Sequence, residues 1–181
     1  MSSHFHPEPV VAFWKEAGPG AWFARDAEFD ARFRGRFEAA HMAAARRELD
    51  HWLDTPEGAL ALMILLDQFP RNSYRGTAHM FATDALALAL ARKALELGHD
   101  QHIEPALRLF LYLPFEHSEI LADQDRAVEL CAPLGDPFDH YARIHHEVIA
   151  RFGRFPHRNA AFGRDTTAAE QAFLDEGGFA G

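Results

Sequence analysis

Between its Pro and Gly punctuation the chain repeats apolar residues every three to four positions, and no alternating Val/Ile/Thr run of strand type occurs. Ala, Leu, Glu and Arg dominate those stretches, residues that lose little on entering a helix. The pattern predicts an all-α fold. Pro7 and Pro9 suit the first turn of a helix running to about Ala17, ended by Gly18-Pro19-Gly20. Asp26 is placed to cap a longer helix through roughly Arg47, with Phe29, Phe33, Phe37 and Ala40 on one buried face. Thr55-Pro56-Glu57 reads as cap, first-turn proline and dipole-complementing acid for a helix reaching Phe69, where Pro70 turns the backbone out. A helix from about Thr77 stops at Gly98, and another from Glu104-Pro105 ends near Leu113. Pro114 opens a helix to about Cys131, and Asp136-Pro137 opens one to Phe152 with Gly153 as its C-cap. Thr167-Ala-Ala-Glu170 is a capping box for a short final helix. About eight helices with short connections predict antiparallel neighbours in a single domain over residues 1–181, with 1–6, including His4 and His6, as a disordered start.

Composition narrows the class. With 48% hydrophobic and 25% charged residues, this is an ordinary globular sequence. Its net charge of −9 argues against nucleic acid as partner, because phosphate-backbone affinity needs a basic face. The single Cys131 excludes an intramolecular disulfide framework and Cys-rich zinc modules, and suggests a reducing compartment. MSSHFHPEPVV lacks the basic flank and apolar stretch of a signal peptide, and the richest apolar run, Ala59 to Leu66, is too short to span a membrane. We read the protein as cytoplasmic, with no membrane partner and an oligomeric state left open.

The arginines change the picture. RFGRFPHRNAAFGR, residues 151–164, holds four arginines and no acid. It echoes an earlier stretch: Phe69-Pro70-Arg71-Asn72 with Arg75-Gly76, and Phe155-Pro156-His157-Arg158-Asn159 with Gly163-Arg164, each lead toward a Thr-headed helix. Forked guanidinium groups in such loops suit carboxylate or phosphate. Equally, an arginine beyond a helix C-terminus can bond the last carbonyls, and asparagine is an ordinary turn residue. Polar residues also fall on apolar stripes. His117, Leu121, Gln124, Val128 and Cys131 share one face, as do Tyr141, His145, Val148 and Phe152, while Asp67, Gln68 and Asp84 adjoin buried runs. Burying such a group without a partner costs about 1–3 kcal/mol or more. These residues are expected to meet in a polar pocket with the two arginine loops at its mouth.

Other chemistries find less support. Ile144-His145-His146-Glu147 offers adjacent imidazoles that project about 100° apart on a helix, and no HExxH or inward-facing ExxH repeat is present, so no metal ligand is assigned. Gly-rich phosphate loops and a GxSxG elbow are missing. Cys131 on an apolar stripe reads as inert.

Leu65-Leu-Asp-Gln-Phe-Pro-Arg-Asn72, Arg75-Gly76, Phe81-Ala-Thr-Asp84, Tyr112-Leu-Pro-Phe-Glu-His-Ser-Glu119, Asp123-Gln124 and Phe152-Gly-Arg-Phe-Pro-His-Arg-Asn159 carry a likeness. On these phrases the protein resembles an uncharacterised bacterial family, domain of unknown function 924, from about Val10 to Phe179. The resemblance implies a tetratricopeptide-repeat-like helical array, and Ala82 to Leu97 is similar to the second helix of such a repeat, although no regular 34-residue period runs through the sequence. It implies no reaction. Where the family often has Ile-Leu-Gly-Arg this protein has Ala161-Phe162-Gly163-Arg164, which keeps the arginine.

The expectation is a pocket for a small phosphate- or carboxylate-bearing ligand, clamped by Arg71, Arg75, Arg154, Arg158 and Arg164. Gln68, Asp84, Gln124 and Asn159 would line it. His117 and His145, with Asp67 and Glu116, are the candidates for acid/base work, because imidazole titrates near neutrality and Glu116, Glu119 or Asp84 could orient it. No cofactor is assigned, and whether the protein is an enzyme is left open. The second reading is a non-enzymatic scaffold whose same arginines hold an acidic peptide or the C-terminal carboxylate of another protein. A metal-dependent helical enzyme is third.

Overall fold

The computed structural model describes residues 5–181, and within them it is helical with no strand. The expected disordered start falls mostly on residues 1–4, outside that range; His6 is the N-cap of the first helix. Two compact units divide the protein, one ending at Pro114 and one beginning at Phe115. No described helix is long and apolar enough to cross a membrane.

The first unit holds α1 (Pro7–Ala17), α2 (Pro19–Trp22), α3 (Ala27–Ala45), α4 (Pro56–Met63), α5 (Phe69–Ser73), α6 (Asp84–Glu96) and most of α7 (Pro105–Glu116). Local signals set several ends. Asp26 Oδ1 accepts from the Glu28 and Phe29 N–H groups, and Thr55 Oγ1 from Gly58 N–H at 3.1 Å, so free donors of both first turns are met. Gly58 has no alternative: a Cβ there would sit 2.0 Å from the Trp52 carbonyl oxygen. The Phe29, Phe33 and Phe37 stripe is buried as its spacing predicts, and Phe13, Trp14, Phe69 and Phe110 pack around it with ring centroids 5.1 to 6.1 Å apart.

Pro70 does not end its helix. α4 runs through a π turn at Ile64–Gln68 into α5, which places Pro70 inside a rod from Pro56 to Ser73. A proline lacks the N–H that would reach four residues back, to Leu66, and the π turn sends Phe69 N–H to Ile64 instead of Leu65. Two carbonyls are thereby freed in the core, and side chains from elsewhere take them: Thr83 Oγ1 donates to the Leu66 oxygen, and His41 Nδ1 to the Leu65 oxygen at 2.8 Å. The break that proline predicts is repaired by tertiary contacts. Further on, the helix expected from Thr77 is a 3-10 turn at Ala78–Phe81 followed by α6.

The second unit contains α8 (Leu121–Cys131), α9 (Phe138–Phe152) and α10 (Ala168–Asp175). Pro114 lies inside α7, where the burial of Leu109 to Phe115 outweighs a missing hydrogen bond. His117 therefore sits in the turn before α8, off the stripe assigned to it, and Leu121 is exposed. The buried face of α8 carries Asp123, Gln124, Ala127 and Cys131. On α9 it carries Ala142, His145, Val148 and Ile149, one position round from the face expected, leaving Tyr141 exposed. Gly153 ends α9 in the left-handed conformation at φ 68°, and the Thr167–Glu170 capping box forms. Val148, Ile149 and Phe155 make the core of this unit, with Phe152, Phe173 and Phe179 packed against them.

Candidate functional site

The polar candidates lie in both units. In the first, Arg71 donates from Nη1 and Nη2 to both oxygens of Asp84, at 2.8 and 2.9 Å, and from Nη1 to the Asp67 carbonyl. The Asp67 carboxylate is 3.1 Å from the same nitrogen and accepts from Gln68 Nε2 at 2.6 Å. Burial opposes the charge on Arg71, but the two carboxylates outweigh it and hold its pKa above the ordinary value. Asp67 and Gln68 are buried because the π turn belongs to a rod that is apolar nearly all round.

Arg75 reaches back to α3, donating to Asp30 Oδ2 at 2.7 Å, while Asn72 Nδ2 donates to Asp30 Oδ1 at 2.8 Å. The second loop repeats this arrangement. Arg154 forks onto Glu170 and also bonds the Asp165 carbonyl, and Asn159 Nδ2 lies 3.3 Å from Glu170 Oε2. Asp30 and Glu170 are both first-turn acids, of α3 and α10. In both loops an arginine and the echoed asparagine together hold a carboxylate at a helix N-terminus, where the dipole already favours it, but the arginines are not equivalent: Arg75 follows its Phe-Pro turn and Arg154 precedes its own. The hydrogen bond from Arg154 and the Thr167 backbone N–H bring the Glu170 pKa down to about 2.

Arg164 forms a third fork, to Glu119 at 2.7 and 3.0 Å, and Glu119 also accepts from Phe155 N–H at 2.8 Å. Burial raises the Glu119 pKa, but these donors outweigh it and leave the group below its ordinary value. Gln124 turns its amide nitrogen to the carbonyls of Glu116 and Ser118, at 2.7 and 2.6 Å, tying α8 to the turn before it; its Oε1 meets no hydrogen-bond donor among the described residues.

What remains is a group around Phe155 and Phe179. His145 packs 4.4 Å from the Phe179 ring and 5.7 Å from Phe155, and His157 5.4 and 5.6 Å from the same rings. The His117 ring is 6.0 Å from His145. Arg158 lies over Phe155 at 4.4 Å and donates to the His117 carbonyl at 3.0 Å. Because His145 Nδ1 bonds the Tyr141 carbonyl at 2.8 Å, that nitrogen carries the proton and Nε2 is the acceptor. Glu116 Oε2 is 3.5 Å from Nδ1, yet the ring is neutral: burial first, then the charges of His117, Arg158 and His157, push its pKa down to about 3. Glu116 Oε1 accepts from the Cys131 thiol at 3.2 Å. Burial, reinforced by that carboxylate, pushes the thiol pKa far up, so Cys131 is inert at neutral pH.

Neither of two cavities in the second unit is lined by a residue assigned to the expected ligand pocket. One, of about 170 Å³, lies between Ile144, Glu147, Val148, Arg151, Phe173 and Phe179. The other, about 590 Å³ and shallower, borders Asp125, Val128, Glu129, Arg143, His146 and Glu147. Among the described residues no group of three or more His, Cys, Asp or Glu is placed to hold a metal ion.

Sequence reasoning missed a cluster in the first unit. His41 Nε2 faces His79 Nε2 at 3.4 Å, His79 stacks on Tyr74 at 3.8 Å, and Tyr74 Oη donates to Glu38 at 2.9 Å. Burial lowers the His41 pKa, while burial together with the Glu38 contact raises Tyr74 to about 12. A signal existed: Phe29, Phe33, Phe37 and His41 are four apart in register, so the imidazole continues the buried stripe.

No curated protein matches the sequence. The fold is similar to that of a protein of unknown function, ATU0120, from Agrobacterium tumefaciens, with TM-score 0.93 and 55% sequence identity, covering 94% of this protein and 97% of that one. Residues 10–178 match the family described as bacterial proteins of unknown function, DUF924. A match over nearly the whole sequence means that the protein belongs to this family.

Proposed function

We propose that the protein binds a small phosphate- or carboxylate-bearing molecule in its second unit, at the group around Phe155 and Phe179. One observation carries this reading: two imidazoles, His145 and His157, pack against both phenyl rings, the His117 ring lies 6.0 Å from His145, and the Arg158 guanidinium lies over Phe155. Imidazoles can take up a proton when an anion arrives, and arginine supplies a permanent charge. With Nδ1 bonded to the Tyr141 carbonyl, His145 would take its added proton at Nε2 and donate from there to the anion. A base with a pKa near 3 is too weak for efficient proton abstraction at neutral pH, so acid/base work, if the ligand is a substrate, falls to His117.

In this reading Arg71, Arg75, Arg154 and Arg164 hold the fold. Each already grips a carboxylate of its own unit, Asp84, Asp30, Glu170 and Glu119 respectively. The same fact counts against a scaffold that uses those arginines for an acidic peptide. A metal-dependent enzyme would need a ligand set that the described residues do not bring together.

The test is thermal denaturation and imidazole NMR titration of the full-length protein with inorganic phosphate and, separately, with acetate. Saturable stabilisation and an upward shift of the His145 pKa are expected for the wild type. Both should be lost in Arg158→Lys and weakened in His157→Gln, with helical content unchanged. Absence of saturable stabilisation by either anion, or equal stabilisation of the wild type and both variants, would refute the site.

A further inference from the structure

Of the four arginines in residues 151–164, Arg154 and Arg164 hold acids and Arg158 donates to the His117 carbonyl. Arg151 is different. Its exposed guanidinium lies over the Phe152 ring at 4.7 Å and the Phe173 ring at 5.5 Å, and makes no hydrogen bond or ion pair among the described residues. Glu147, one turn earlier on α9, is also exposed and pairs with no cation among the described residues, although an acid four residues before an arginine ordinarily pairs with it. The rings attract the guanidinium, and its N–H groups remain able to take a carboxylate.

These two charges flank the cavity of about 170 Å³. Ile144, Glu147, Val148 and Arg151 stand at i, i+3, i+4 and i+7 on α9, so a single helix face supplies an apolar floor between an anion and a cation. Phe173 of α10 and Phe179 close the apolar side. The volume is below the range of about 300–1,000 Å³ that drug-sized ligands occupy. It matches one amino-acid side chain, equal to about five or six waters at about 30 Å³ each. We propose that this cleft binds a free apolar α-amino acid, its carboxylate on Arg151, its ammonium on Glu147 and its side chain against Phe173 and Phe179. The site is separate from the imidazole group, although Phe179 packs against both.

The experiment is calorimetric titration of the full-length protein with L-leucine and L-phenylalanine, with N-acetyl-leucine and leucinamide as probes of each charge. Saturable binding of at least one free amino acid is expected. Affinity should fall at least about tenfold in Arg151→Gln and in Glu147→Gln, since each removes a charge-assisted contact. N-acetyl-leucine and leucinamide should bind correspondingly less well. No saturation by either amino acid up to about 10 mM, equal binding by the blocked analogues, or unchanged affinity in both variants overturns the proposal. Inorganic phosphate should not displace the amino acid, and Arg158→Lys should leave its affinity unchanged. Failure of the imidazole site is thus distinguishable from failure of this one.

Discussion

Arg71 and Asp84, thirteen residues apart, meet in a two-point fork whose N–H···O distances are 2.8 and 2.9 Å. Asp84 opens α6, while Arg71 lies in the last turn of the rod that carries the π turn, so the pair fastens one helix start to another helix end. Both side chains are mostly covered, at 15% and 18% exposure. Asp67 contributes a second carboxylate, and Arg71 is accordingly the hub of the set.

Removing Asp84's charge is expected to leave Arg71 without its fork. Asp84→Asn should destabilise the first unit by about 3 kcal/mol, the scale for breaking one side of a largely buried ion pair. Chemical denaturation followed by circular dichroism measures this. Arg71→Lys should also destabilise, because an ammonium cannot reproduce the fork.

The repaired carbonyls of the π turn make a second case. Thr83→Val keeps the side-chain shape and deletes the donor to the Leu66 oxygen, and His41→Leu deletes the donor to Leu65. Each should cost about 1–3 kcal/mol, the desolvation penalty of an unsatisfied buried carbonyl. Hydrogen exchange should localise the loss to residues 56–73, the rod itself. Variants with wild-type stability would mean that water takes over the bonds.

His145 imposes a pH dependence whose sign follows from its environment. In the native state burial lowers its pKa to about 3, against an ordinary value of 6.5, so between these limits the unfolded state binds the proton that the folded state refuses. Stability should therefore fall as pH drops from 6.5 toward 3, by up to about 1.4 kcal/mol per pH unit. His145→Asn should flatten that limb of the profile. An unchanged slope would place the acid sensitivity elsewhere.

Glu170 works in a lower window. Its native pKa of about 2 lies below the ordinary 4.5, so the stability it supplies is complete above 4.5 and is lost as pH falls toward 2. Glu170→Gln should remove that increment and loosen Arg154, Asn159 and the start of α10 together, since all three meet at its carboxylate. Comparison of acid unfolding curves for wild type and variant provides the check.

Helix existence is legible in the sequence because it depends on near neighbours. The Asp26, Thr55 and Thr167 caps, the Gly153 C-cap and the Phe29 stripe follow from residues within a turn or two of one another. The prolines mislead for the opposite reason. Pro70 and Pro114 do weaken a helix locally, but the burial of their rods, and for Pro70 the donors on Thr83 and His41, lie outside any local window.

By itself, then, the order of residues determined that the protein is helical, where most helices begin, and that its arginines and inward-facing polar groups would need partners. Only the tertiary structure decided which partners: first-turn acids for Arg75 and Arg154, α6 for Arg71, the turn before α8 for Arg164, and two phenyl faces for Arg151. The physical reason is range. A cap or an amphipathic face is written within a few residues, whereas the partner of a guanidinium 45 residues away, as with Asp30 and Arg75, exists only once the backbone between them has folded.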